Sequence, residues 1–151
     1  MKKQSFLGTG PVIIIPGYLA LIITAQIPYS IPLFQQGFLT IFLGGTLCSI
    51  GALFVVLGAY QIKKARESNT LATEGLYSLT RNPIYCGHIF FILPGVSIII
   101  NNGYSLVSTI ISYILFKIFI SKEENFLKET FGERFSEYCK KVNQIFPFPK
   151  L

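Results

Sequence analysis

The chain has 151 residues, of which 51% are hydrophobic and only 13% charged, and its mean hydropathy is +0.55. Soluble domains usually carry roughly 25% charged residues, so this composition argues against a water-soluble domain and for one compact membrane domain. The net charge of +6 comes from thirteen Lys and Arg against seven Asp and Glu; the cations flank apolar runs without interleaved aromatics, which favours anionic lipid headgroups over nucleic acid.

In chain order, Lys2-Lys3 precede a stretch from Gln4 to Ile62 that holds no charged residue. A first membrane span is expected over residues 12–34, bent or extended where Pro16-Gly17 interrupts it. A cleaved signal peptide is the competing reading of this start; Gly-Pro breaks and the lack of a small-x-small cleavage site weigh against it. The second span covers residues 37–60. Its small residues Gly44, Cys48 and Ala52, with Gly45 and Ser49 beside them, recur every four positions and predict a face that packs closely on another helix. After the basic Lys63, Lys64 and Arg66, a second uncharged stretch runs from Asn82 to Phe116. It predicts spans over 84–100 and 104–120, joined as an antiparallel hairpin by Asn101-Asn102-Gly103, with Pro94-Gly95 bending the third. All thirteen cations lie at the N-terminus, between 63 and 81, or after Phe116. By the positive-inside rule both termini and the 63–82 loop are cytoplasmic.

Beyond the fourth span, Leu127, Phe131, Phe135, Tyr138 and Val142 step at helical spacing opposite Glu129, Glu133, Glu137 and Lys140-Lys141. One or two amphipathic helices are expected at the cytoplasmic membrane surface, broken at Gly132 and stopped by Pro147 and Pro149. The fold class is therefore all-α: an integral membrane bundle of about four spans with a C-terminal amphipathic cytoplasmic segment. The three cysteines, Cys48, Cys86 and Cys139, share no metal-ligand spacing, so neither zinc nor a disulfide framework is expected.

Polar groups gather where the spans would emerge. Arg81 precedes Asn82-Pro83, and Pro83 suits the first turn of a helix, so Arg81 and Tyr85 stand at the mouth of the third span. Glu123 and Glu124 stand at the exit of the fourth. Each alone reads as an ordinary solvated helix end. Together with Tyr77 they put a cation, two carboxylates and two phenols on one membrane face, a set suited to a small zwitterionic, cationic ligand.

The run Thr73-Glu74-Gly75-Leu76-Tyr77-Ser78-Leu79-Thr80-Arg81-Asn82-Pro83-Ile84-Tyr85-Cys86-Gly87, then Glu123-Glu124, then Phe131-Gly132-Glu133-Arg134-Phe135-Ser136-Glu137-Tyr138, resembles the isoprenylcysteine carboxyl methyltransferase and phospholipid methyltransferase superfamily. The likeness covers residues 61–147. It implies a single membrane methyltransferase domain over 1–151 that uses S-adenosylmethionine, with a cytoplasmic cofactor region over 61–85 and 121–147, and takes a lipophilic or lipidated acceptor from the bilayer, either a carboxylate such as isoprenylcysteine or a lipid amine. Carried over by position, Gln61, Asn69, Thr70, Leu71, Ala72 and Tyr77 line the cofactor pocket. Asn82, Pro83, Ile84 and Tyr85 form its other wall, Glu123 holds the methionine amino group with Glu124 as second candidate, and Arg81 positions the reacting groups. No metal is implied.

Two departures bear on the acceptor. Asn82 stands where the eukaryotic carboxyl methyltransferases have His, which keeps hydrogen bonding without a titrating group. Phe119 stands where they place a substrate arginine one turn before the first glutamate, and Lys117 or Lys122 lacks the planar fork that grips a carboxylate. An amine acceptor, unlike a carboxylate, must lose a proton, and the candidates to take it are a tyrosine or one of the two glutamates. His88, the only histidine, reads first as a packed residue of the third span and second as a functional one. The pattern N-P-x-Y-x-G is also similar to that of sterol reductases that bind NADPH, and a non-catalytic membrane adaptor is the third reading. A soluble Rossmann-type methyltransferase has no support, because no GxGxxG run is present.

Overall fold

The computed structural model describes residues 9–29, 31–35, 37–148 and 150; Lys2, Lys3 and Pro149 lie outside them. The regular secondary structure of the described residues is all helical, without strands: α1 Gly10–Ala25, α2 Phe38–Glu67, α3 Leu76–Leu79, α4 Pro83–Cys86, α5 Leu93–Ile99, α6 Val107–Phe131 and α7 Glu133–Lys141. A π-helical segment, Gly87–Ile92, joins α4 to α5, so Pro83–Ile99 runs as one helix, and a 3-10 turn, Gly103–Leu106, leads into α6.

Two helices, Phe38–Glu67 and Gly103–Phe131, are long and apolar enough to cross a membrane; Gly10–Ala25 and Pro83–Ile99 are shorter apolar helices. At 1.5 Å per residue the 30 residues of α2 reach about 45 Å, whereas the 16 of α1 reach about 24 Å. The expected first span over 12–34 therefore ends early. Gln26 and Ile27 close the helix with bonds to Ile23 and Thr24 carbonyls, and Pro28 cannot continue it. Pro16 sits inside a continuous α1. The apolar side chains of α2 point outward: Leu39, Ile41, Phe42, Leu53 and Val56 are exposed, as are Ile110, Ile114 and Ile118 of α6. A core helix of a soluble protein would bury such residues; an outer surface this apolar suits lipid.

Small residues set the packing: Gly44 and Cys48 of the expected stripe take part, and beyond them the contact follows Gly51 and Gly58 in place of Ala52. Gly44, Gly51 and Gly58 of α2 are buried against Pro83–Ile99, whereas Ser49 and Ala52 face outward. The contacts are backbone to backbone: a Cβ on Gly51 would stand 2.8 Å from the Gly87 carbonyl oxygen, and one on Gly44 2.6 Å from that of Gly95. Side chains here would push the two helices apart. The expected bend at Pro94-Gly95 takes the form of the π-segment: Pro94 has no N–H for the carbonyl four residues earlier, and the widened turn before it absorbs the mismatch. The short turn at Asn101-Asn102-Gly103 is present, with Asn101 left-handed at φ 51° and its side chain bonded to Leu33 and Phe34. Past that turn α6 packs chiefly along α1, while Pro83–Ile99 packs chiefly along α2.

Two apolar clusters lie toward the end of the bundle where Thr9 meets Glu123. One joins Ile13, Tyr85, Cys86, Ile89, Phe116, Ile120 and Ile145. The other joins Phe135, Tyr138 and Val142 to Leu71, Leu127 and Phe131. α6 runs through Glu123-Glu124 without interruption and stops at Gly132, whose φ of 55° a side chain would resist. Next, α7 buries Phe135 and Tyr138 and exposes Glu133, Arg134, Glu137, Lys140 and Lys141.

Candidate active site

Successive residues on a helix point about 100° apart, so the adjacent glutamates of α6 face different neighbours. Glu123 turns toward the start of α1. Its Oε1 accepts from the Thr9 backbone N–H (2.8 Å), the Thr9 hydroxyl (2.7 Å) and the Tyr85 hydroxyl (3.0 Å). Its Oε2 accepts no hydrogen bond from a described residue. The amino end of α1 complements the negative charge, because its first N–H groups lack helical partners. One oxygen is thus anchored by three donors, and the other is bonded by no described residue. Tyr85 is buried, its ring centroid 5.4 Å from that of Phe116, which holds its hydroxyl on Glu123.

Glu124 turns the other way, onto Arg81. Its Oε1 accepts from Arg81 Nη2 (2.7 Å) and Nε (3.1 Å), and its Oε2 accepts from Gln144 Nε2 (2.8 Å). The pair is well shielded, with side-chain exposures of 11% and 21%. Arg81 Nη1 also donates to the carbonyls of Cys139 and Val142, where α7 ends, and the Arg81 backbone N–H donates to Asn143. A cation at a helix C-terminus complements its dipole. Asn82 Nδ2 donates to the Gln144 carbonyl (2.8 Å), and Lys117 Nζ to Gln144 Oε1 (2.7 Å). The Arg81-Asn82 turn therefore clasps residues 139–144 against α6. Pro83 and Ile84 pack over Gly58 of α2.

Tyr77 is buried, its hydroxyl donating to the Gly58 carbonyl (3.4 Å) and its own carbonyl accepting from Tyr138 (2.5 Å). Burial raises the phenol of Tyr77 above its ordinary value, Arg66 opposes this and Glu123 adds to it, so Tyr77 lies within electrostatic reach of Glu123. Burial raises Tyr138 as well. Both phenols stay protonated as donors.

The expected site residues thus fall into three groups. Tyr77, Tyr85 and Glu123 come together. Arg81, Asn82 and Glu124 form the neighbouring clasp, with Arg81 on Glu124 instead of facing Glu123. The third group lies along the outer loop: Gln61 Oε1 accepts from the Leu76 N–H and fills the space a Cβ on Gly75 would need, and Asn69 (left-handed, φ 49°) and Thr70 close the end of α2 on the surface. Leu71 belongs to the apolar cluster under α7, and Ala72 is half-buried beside it. A cleft of about 290 Å³ between Thr73, Ser78, Arg134, Glu137, Tyr138, Lys141 and Val142 includes none of the expected site residues. Two participants were missed, Thr9 and Gln144. A hydroxyl residue directly before Gly10-Pro11 is a helix-start signal that could have singled out Thr9; nothing in the local sequence marks Gln144.

The phospholipid methyltransferase family profile matches residues 39–134, which include Arg81, Asn82, Tyr85 and both glutamates. The chain belongs to the phospholipid methyltransferase family. Among curated proteins it is similar to the protein-S-isoprenylcysteine O-methyltransferase of Xenopus laevis, 39% identical over 85 residues, covering 56% of this chain and 29% of that protein. It resembles the enzyme of the same name from Saccharomyces cerevisiae at 33% over 122 residues, 68% and 50%. It also resembles the cobalt-zinc-cadmium resistance protein CzcN of Cupriavidus metallidurans at 30% over 105 residues, 70% and 46%. The chain spans half or less of the length of these relatives. Thr9 and Gln144 lie outside the stretch that the phospholipid methyltransferase profile matches.

Proposed function

We propose that the protein transfers a methyl group from S-adenosylmethionine to a lipophilic acceptor at the cytoplasmic face of a membrane, as a single membrane methyltransferase domain. The observation that carries this is Glu123, a carboxylate inside the family match with one oxygen fixed by Thr9 and Tyr85 and the other bonded by no described residue. That donor set fits the cofactor: the second oxygen suits an ammonium group, and the nearby rings of Tyr85 and Tyr77 suit a positive sulfur centre. When bound, the cofactor supplies an electrophilic methyl on a sulfonium whose leaving thioether needs no proton.

The chain's own residues then bind, orient and exclude water. Glu123 receives the amino group. Arg81 and Glu124 hold the segment 139–144 over the Asn82-Pro83 turn, and Tyr77 and Tyr138 pin that segment to the loop after α2. In this role Arg81 is a positioning residue. Positioning and desolvation are worth several orders of magnitude in a displacement of this kind. Thr9, Arg81 and the glutamates share the end of the bundle that carries the cations, and the positive-inside rule makes that end cytoplasmic, with both termini there.

Calorimetric titration of the detergent-solubilised chain checks the reading against its rivals. S-adenosylhomocysteine should bind and NADPH should not. Binding of NADPH alone would assign a reductase, and binding of neither would assign a non-catalytic role.

A further inference from the structure

The bundle is built as two helix pairs, α1 with α6 and α2 with Pro83–Ile99. Across the seam between α6 and Pro83–Ile99 large side chains make the contact: Tyr85 meets Phe116, ring centroids 5.4 Å apart, and Phe90 meets Tyr113 at 6.0 Å. His88 faces α1, its Nδ1 2.8 Å from the Tyr18 hydroxyl, and Phe90, two positions on and so roughly across the helix, faces α6. Glu123 and Tyr85 meet at one end of this seam. Phe90 comes seven residues after Pro83 and Tyr113 ten before Glu123, so the two rings lie about 10–15 Å deeper along the bundle. For helices that emerge from a membrane near Arg81 and Glu123, that depth is hydrocarbon.

The tail after α7 closes the seam from outside. Ile145 is 2% exposed and belongs to the same buried cluster as Tyr85, Cys86 and Phe116, and Phe146 stacks on Phe90 at 5.2 Å. Room beneath the Tyr85–Glu123 contact is therefore taken by a side chain of the tail. The other members of that cluster stand on helices; the tail does not, and the N–H groups of Ile145, Phe146 and Phe148 donate to no described residue. Gln144 fastens its base to Asn82, Lys117 and Glu124, and the ring stack fastens its tip. Segments with few backbone hydrogen bonds are the first to open. Phe146 and Phe148 give the tail an exposed apolar outer face, which lipid accommodates better than water.

We propose that residues 144–148 are a strap over a lateral entrance between α6 and Pro83–Ile99, and that the hydrocarbon chain of the methyl acceptor enters there by displacing Ile145 and Phe146. Gln144 is the hinge, held on Glu124 while the tip lifts into the lipid. The chain fills the apolar room that the two side chains vacate, and the acceptor's reactive head arrives beside Tyr85 and Glu123. This inference rests on the methyl-transfer reading and says how its acceptor reaches the site.

The chain has no tryptophan, so Phe146→Trp, labelled as 5-fluorotryptophan, gives one indole to observe. In phosphatidylcholine nanodiscs with S-adenosylhomocysteine its fluorine spectrum should show one resonance, which Phe90→Ala shifts by removing the ring beneath it. S-farnesyl-N-acetylcysteine or dioleoylphosphatidylethanolamine should add a second resonance for the lifted strap, and which of them does so tells a prenyl from an acyl chain. N-acetylcysteine, which has no chain, should add none. A second reading uses Phe90→Cys with Phe146→Cys after Cys48, Cys86 and Cys139 are changed to alanine. Bridging that pair with dibromobimane should leave S-adenosylhomocysteine affinity unchanged, yet cut methyl transfer to whichever probe the parent labels by about 10-fold or more. A spectrum that neither chain-bearing probe changes, a second resonance with N-acetylcysteine as well, or a bridged protein that transfers at the unbridged rate overturns the inference. A parent that binds no S-adenosylhomocysteine overturns the methyl-transfer reading beneath it.

Discussion

Arg81 offers donors on three nitrogens and uses all of them: two on one oxygen of Glu124, one on carbonyls at the end of α7. Replacing it with Ala leaves Glu124 shielded with only Gln144, and removal of one member of a buried pair costs about 3–5 kcal/mol. Thermal unfolding in detergent should show that loss, and Arg81→Lys should recover only part of it, because an ammonium cannot make the forked contact. Full recovery by lysine would mean that charge alone matters at position 81. At this scale much of the candidate site was readable: the motif run and the Glu123-Glu124 pair named polar residues that do meet, Tyr85 with Glu123 and Arg81 with Glu124. Their pairing was not readable, because whether Arg81 meets the first or second glutamate depends on the rotation of α6 against α1, two helices that meet closely at Gly17, where a Cβ would collide with Ser112.

The helices were visible as apolar stretches, and the small residues of α2 announced a tight contact. The stripe that packs, Gly44, Gly51 and Gly58, repeats every seven residues, while the four-residue reading from Gly44 drifts to the exposed Ala52. Local spacing alone does not decide between the two; the partner helix does, since Gly95 meets Gly44 and Cys48, Gly87 meets Gly51, and Pro83-Ile84 meet Gly58. Gly51→Ala should therefore destabilise the protein by about 1–3 kcal/mol, by forcing apart two backbones in contact. Gly45→Ala, which meets open space, should be neutral or stabilising by up to about 1 kcal/mol through helix propensity. Paired denaturation curves of the two variants test the assignment, and equal effects would refute it. The end of α1 at Ala25 was likewise hidden in an apolar run, because hydropathy does not register that Pro28 has no N–H to extend the helix.

Across the whole molecule, charge placement and fold agree. The cations among the described residues flank the end where Thr9, Arg81 and the glutamates meet, and the uncharged turn at Asn101-Asn102-Gly103 closes the other end. The contacts that build the site join the extremes of the chain, Thr9 to Glu123 and Arg81 to Asn143, so no single segment of sequence displays it. Family membership ties the chain to methyl transfer, and the proposed site rests on Glu123, whose Oε1 takes three hydrogen bonds from Thr9 and Tyr85. The decisive measurement is S-adenosylhomocysteine affinity of Glu123→Gln against the parent, by calorimetry in detergent. Loss of one charge-assisted contact should weaken binding about 10- to 100-fold with the fold intact. Parent-like affinity in Glu123→Gln would contradict the assignment of the ligand's amino group to Glu123.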